Sequence, residues 1–153
     1  MVAQETSVTL PRRTRLAGLP WATLSVVSVG GALGALARLG VNTLFPARPD
    51  AFPWATFGIN VSGCLLIGVL MVLVTEVLTA HRLVRPFLGV GVLGGYTTFS
   101  TYIVDIKRLI DDRVPVTALL YLAATVLAAL VAVWAGVALT RAAARWRRRE
   151  AHG

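Results

Sequence analysis

Polar residues inside otherwise apolar stretches of this 153-residue chain form patterns that could do chemistry. Thr56 and Asn60 stand four apart, so on a helix they share one face, which Gly63 and Cys64 extend with small groups. An Asn amide offers two N–H donors to an anion stripped of water; it equally serves to bond a neighbouring helix, a common use of Asn in membranes. Thr117, Tyr121 and Thr125 recur at the same interval. Their hydroxyls either line a path as donors, or bond the carbonyl one turn back (Thr) and anchor at an interface (Tyr). A third run reads Gly89-Val-Gly-Val-Leu-Gly-Gly-Tyr-Thr-Thr-Phe-Ser-Thr-Tyr102. Gly94-Gly95 followed by β-branched threonines is a poor helix sequence. A break at membrane depth frees carbonyls that lipid cannot satisfy, and such breaks survive where carbonyls coordinate a cation or line a cavity. Gly91 and Gly95 also have the GxxxG spacing of close helix packing, which does not account for the hydroxyl and aromatic residues that follow. In Gly30, Gly31 and Gly34, the same spacing reads as packing. Arg38, a turn later, either snorkels to the interface or offers positive potential to an anion at a vestibule.

The elements that must position these residues follow from composition. Only 14% of the chain is charged, against about a quarter in a soluble domain, too little to cover a globular surface against water. A helix needs about 20 apolar residues to cross the hydrocarbon core. Four runs qualify, at about 16–45, 51–75, 86–106 and 114–140, flanked by polar tails at 1–15 and 142–153. The expected fold is an all-α membrane protein of four transmembrane helices with the third broken. Connections are short: 46–50 holds two prolines that stop the first helix, and 76–85 and 107–113 carry the other links. With no soluble domain expected, function must lie within the membrane.

The net charge of +8 sits at the ends and in the gaps. Basic clusters such as Arg12-Arg13-Arg15 and 145–149 flank apolar runs, as the positive-inside tendency produces. The segments outside the spans are too short to fold a nucleic-acid-binding module. Ten basic residues (Arg12, Arg13, Arg15, Arg82, Arg85, Arg141, Arg145, Arg147, Arg148 and Arg149) fall on the side of the termini, against at most five (Arg38, Arg48, Lys107, Arg108 and Arg113) on the other. That bias favours cytoplasmic termini. Ala35-Leu36-Ala37 resembles a signal-peptide cleavage site, but the apolar stretch before it is too long and three more spans follow, so a retained first helix is expected. Cys64 is the single cysteine; it reads as a small packing residue, with no disulfide partner or zinc pattern. No nucleophile–base pair, metal set or nucleotide loop points to an enzyme. A proton-coupled small multidrug exporter would need a carboxylate within a span, and Asp105, at the end of the third, is the only carboxylate inside any of the four runs. A non-transporting membrane partner subunit would suit the GxxxG spacings but leave the polar stripe unexplained.

Three motifs resemble those of the Fluc (CrcB) family of fluoride channels. Gly30-Gly31-Ala-Leu-Gly34-Ala-Leu-Ala-Arg38 resembles its first-helix motif, and Pro53-Trp-Ala-Thr56-Phe-Gly-Ile-Asn60-Val-Ser-Gly63 its second. Gly94-Gly95-Tyr-Thr97-Thr98-Phe99-Ser100-Thr101 resembles the third-helix signature, the most specific of them. The resemblance extends from Gly30 to Gly136, with the spans in the right number and order. It implies a passive, fluoride-selective channel of the cell membrane that exports fluoride and so protects the cell. It implies a dimer of oppositely inserted subunits, with two pores along the interface and a central structural sodium ion (Na+). By position, Gly94 and Thr97 would give backbone carbonyls to sodium. Phe99 and Tyr102 would form the aromatic box, and Asn60, Ser100, Thr101, Tyr121 and Thr125 would supply polar contacts along the pores. Arg38 and Asp105 match charged positions near the ends of the pathway. Tyr102 stands where the family usually has Phe, Asp105 where Glu is usual, and Ala55 where Gly is common. The basic asymmetry and Tyr102 together leave two partners open, an identical chain or an oppositely oriented paralogue.

Overall fold

The computed structural model describes residues 20–48, 50–77 and 81–150, with side chains as far as Arg147. The arginines at 12, 13 and 15 and the start of the first span at 16 therefore lie outside the described residues. Among those described, four helical stretches are long and apolar enough to cross a membrane: Trp21–Leu44, Trp54–Val77, Pro86–Asp111 and Pro115–Arg147. Their elements are α1 (Trp21–Leu44), α2 (Trp54–Val72, continued by a π-wound Leu73–Val77) and α3 (π-wound Pro86–Leu93 closing in the α turn Gly94–Tyr96). These are followed by α4 (Ser100–Asp111) and α5 (Pro115–Glu150). Large apolar side chains such as Leu119, Leu130, Val131 and Trp134 point outward. In water that surface would be a severe liability, whereas in a bilayer it is the expected exterior.

Glycines set how the helices approach. A Cβ on Gly34 would lie 2.0 Å from the Val92 carbonyl oxygen, and one on Gly95 would lie 2.3 Å from that of Gly31. The first-span and third-span glycines therefore pack α1 backbone to backbone on α3. A Cβ on Gly68 would meet the Val133 carbonyl at 2.5 Å, and one on Gly136 the Leu65 carbonyl at 2.4 Å, the same device between α2 and α5. Gly31 and Gly94 have room for a Cβ. Beyond the break, α4 leaves α1 and packs on α5, where Tyr102, Leu109, Ala118 and Tyr121 form a buried cluster under Phe52 and Phe57. The rings of Phe52 and Tyr102 each lie 5.2 Å from that of Tyr121.

Two boundaries differ from the sequence expectation. The fourth helix does not give way to a tail after 140 but winds on to Glu150, because Ala142 to Ala144 and the arginines are strong helix formers and no Gly or Pro intervenes between Gly136 and Gly153. The link expected at 107–113 is mostly helix, since α4 runs to Asp111 with Lys107 bridging Asp111 one turn on. The chain reverses in a tight turn. Arg113 takes φ 60°, its amide bonds the Ile110 carbonyl (3.1 Å), and Val114 bonds that of Leu109 (2.9 Å). That pattern normally carries Gly at the left-handed position; Pro115 then opens α5 where its missing N–H has no cost.

Candidate functional site

The helical ladder of the third span stops at Tyr96: Thr97 is extended (φ −74°, ψ 158°), and helix resumes at Ser100. Asn60 of α2 faces this interruption and grips Thr98 on both sides. Its Nδ2 donates to the Thr98 carbonyl (3.0 Å), and its Oδ1 accepts the Thr98 amide (2.9 Å). One carboxamide thus supplies the two backbone partners that an unbroken helix would have given. The Thr98 hydroxyl accepts the Thr101 amide (3.2 Å), capping α4 as an N-terminal threonine does. It also lies 3.0 Å from the Thr101 hydroxyl and 3.3 Å from that of Ser100. No described donor reaches the carbonyls of Gly94 or Thr97, whose helical partners were lost at the break.

Beside the break opens a cavity of about 380 Å³, lined among others by Asn60, Cys64, Thr97, Phe99, Tyr102 and Thr125. Phe99 is 76% exposed, its ring 5.9 Å from that of Tyr102. Tyr102 is buried, and its hydroxyl donates to the Leu122 carbonyl of α5 (2.9 Å). Thr125 is 6% exposed, and its hydroxyl has no hydrogen-bond partner although it is buried. A buried hydroxyl left unpaired costs roughly 1–3 kcal/mol, so this one is not there for packing stability.

A second polar cluster lies one turn away on α2. Asp105 is 6% exposed; the Thr56 hydroxyl donates to its Oδ2 (2.7 Å), the Tyr121 hydroxyl lies 3.5 Å from the same oxygen, and Arg108 Nη2 lies 3.6 Å from Oδ1. The residues singled out in the sequence therefore fall into groups. Asn60, Phe99, Tyr102 and Thr125 meet at the cavity, while Ser100 and Thr101 bond the Thr98 hydroxyl. Tyr121 belongs to the Asp105 cluster, its side chain fully buried. Gly94 is exposed beside the break. Arg38 sits half-buried on α1, with no hydrogen bond or ion pair among the described residues. Sequence reasoning missed Thr98, although a threonine three residues before the amide it caps is a recognisable signal. Cys64, read as a small residue on the Asn60 face, lines the same cavity.

This arrangement defines a class: a multi-pass membrane protein of four spans whose polar groups converge on an interrupted helix. The chain matches the family described as CrcB-like protein, Camphor Resistance (CrcB), over residues 25–137. It is 50% identical to fluoride-specific ion channel FluC 1 of Streptomyces coelicolor, over 92% of this chain and 99% of that one. It is 55% identical to fluoride-specific ion channel FluC 2 of Nocardia farcinica, over 86% of this chain and 91% of that one. The chain belongs to the CrcB family, a family of channels rather than enzymes.

Proposed function

We propose that this chain is a passive, fluoride-selective channel of the cell membrane, exporting the ion down its gradient. The observation that carries the proposal is the cavity at the break, where Thr125 holds an unspent hydroxyl beside the Phe99 and Tyr102 rings. Fluoride is small, strongly hydrated and a strong acceptor, so a path must replace its water with donors. The Thr125 hydroxyl and the second N–H of the Asn60 amide are such donors. The positive edge of an aromatic ring can face an anion, and Phe99 provides one at an exposed position. A narrow path with small donors disfavours chloride. Asp105 is engaged by Thr56, Tyr121 and Arg108 rather than poised to trade protons, which argues for conduction without coupling.

The working unit in this proposal is a pair of oppositely inserted subunits, either two identical chains or this chain with a paralogue. The exposure of Phe99 and Gly94 and the unpaired carbonyls beside them support a second subunit against this face. Carbonyls of Gly94 and Thr97 suit a structural sodium ion: two hard oxygens per chain, without a described donor. When bound, the ion would neutralise carbonyl dipoles that lipid cannot. Liposomes loaded with fluoride and containing the purified chain, watched by an external fluoride electrode, test the proposal. Efflux driven by the gradient alone is expected; a requirement for a proton gradient, or equal efflux of chloride, would overturn it.

A further inference from the structure

The extension of α5 has a use of its own. Glu76, the first charged residue after the apolar run of α2, is gripped by Arg141, whose Nε lies 2.9 and 3.1 Å from the two carboxylate oxygens. This pair fixes one height on both helices at the edge of the hydrocarbon. From there α5 continues nine residues to Glu150, about 13 Å at 1.5 Å per residue. The headgroup layer is about 5–8 Å deep on each side, so Arg145 and Trp146 lie within it, about 6 and 7.5 Å beyond Arg141. Here a small cavity of about 160 Å³ opens between the helices, lined by Glu76, Val77, Arg141, Ala144 and Arg145. Trp146, at the same depth, is exposed, as tryptophans at membrane interfaces are. Arg145, Arg147, Arg82 and Arg85 are exposed at this end of the molecule.

We propose that this cavity is a site for an anionic phospholipid, whose phosphate settles against Arg145 and the outer edge of Arg141. The lipid is favoured over a soluble anion by depth and by lining. Val77 and Ala144 offer an apolar floor for the glycerol backbone. Charge complementarity selects a net-negative headgroup over a zwitterionic one, since a juxtamembrane arginine contributes about five-fold in affinity for an acidic surface. Glu76 opposes this by occupying one guanidinium. None of it depends on which ion the membrane domain carries.

The test uses the full chain in detergent micelles, titrated with phosphatidylglycerol or phosphatidylcholine, with melting followed by circular dichroism. Phosphatidylglycerol is expected to raise the melting temperature and phosphatidylcholine to leave it unchanged. Arg145→Gln keeps a good helix former and should raise the half-saturating phosphatidylglycerol fraction about five-fold. Glu76→Gln releases Arg141 and should lower that fraction. The proposal is overturned by an equal response to both lipids, by no change with Arg145→Gln, by weaker binding with Glu76→Gln, or by inorganic phosphate alone reproducing the shift.

Discussion

Replacing Asn60 with alanine separates two roles that sequence spacing leaves merged. If the amide serves only an ion, Asn60→Ala should cost flux and leave the fold intact. The structure says otherwise, because both ends of the carboxamide hold the Thr98 backbone, at 3.0 and 2.9 Å. Thr98 is itself buried, at 7% exposure. Polar bonds between membrane helices average about 0.6 kcal/mol each, giving a floor near 1 kcal/mol for the pair. Stranding a buried N–H and C=O costs roughly 1–3 kcal/mol apiece. The expected loss is therefore about 3 kcal/mol, or roughly a hundred-fold in the folded-to-unfolded ratio. Unfolding in mixed micelles by sodium dodecyl sulfate, followed by far-ultraviolet circular dichroism, measures it directly. Asn60→Asp should be milder than alanine in stability, because it keeps the acceptor for the Thr98 amide, yet equally harmful to flux. An Asn60→Ala protein within about 0.5 kcal/mol of the parent would refute the clamp; that margin is the usual scatter of neutral surface changes.

Phe99→Ile should abolish fluoride flux in liposomes while changing stability by less than about 0.5 kcal/mol, since the ring is 76% exposed; normal flux would mean the ring edge does not face the ion. Thr125→Val removes a hydroxyl that has no partner, so it should leave stability unchanged or raise it by about 1 kcal/mol while lowering flux. Gly34→Ala should destabilise by roughly 1–3 kcal/mol, because its Cβ would fall 2.0 Å from a backbone oxygen, whereas Gly31→Ala, with open space, should not. Topology reporters fused to the C-terminus of the chain expressed alone should read a cytoplasmic bias if the ten-to-five basic asymmetry fixes its orientation. Equal signals on both sides, with robust flux, would mean that the chain pairs with itself.

Much of the scaffold was legible because its determinants are local. Four apolar runs announce four spans, and the GxxxG spacings announce close approach, which the contacts of Gly34 with Val92 and of Gly95 with Gly31 bear out. Helix ends were less legible where charge was taken as a stop signal. Arginine and alanine favour helix, so α5 runs past Thr140, and Lys107 to Asp111 continue α4. Asn60 was legible as a polar residue on the right face, but its partner was not, since Thr98 lies 38 residues away and only the crossing of α2 over the break brings them together. The same limit separates Tyr121 from Thr125. They are four apart on α5 and share a face, yet Tyr121 turns to Asp105 while Thr125 turns to the cavity.

That separation bears on how a polar path is recognised. Position inside a membrane marks a residue as costly, but it does not say whether its donors are already committed. The Thr56 hydroxyl goes to Asp105, that of Thr98 goes to Thr101, and that of Tyr102 goes to a backbone carbonyl. These groups stabilise the interrupted span by joining it to α2 and α5 or by capping its second half. Beside the cavity the uncommitted groups are the Thr125 hydroxyl, one N–H of Asn60 and the exposed edge of Phe99, while Arg108 Nε and Nη2, next to Asp105, are likewise buried without a hydrogen-bond partner. A fold that lost the Thr125 hydroxyl would pack as well or better, so its presence has no account in packing. The groups beside the cavity converge at the point where the third helix gives up its own hydrogen bonds, which is what the proposed ion path requires.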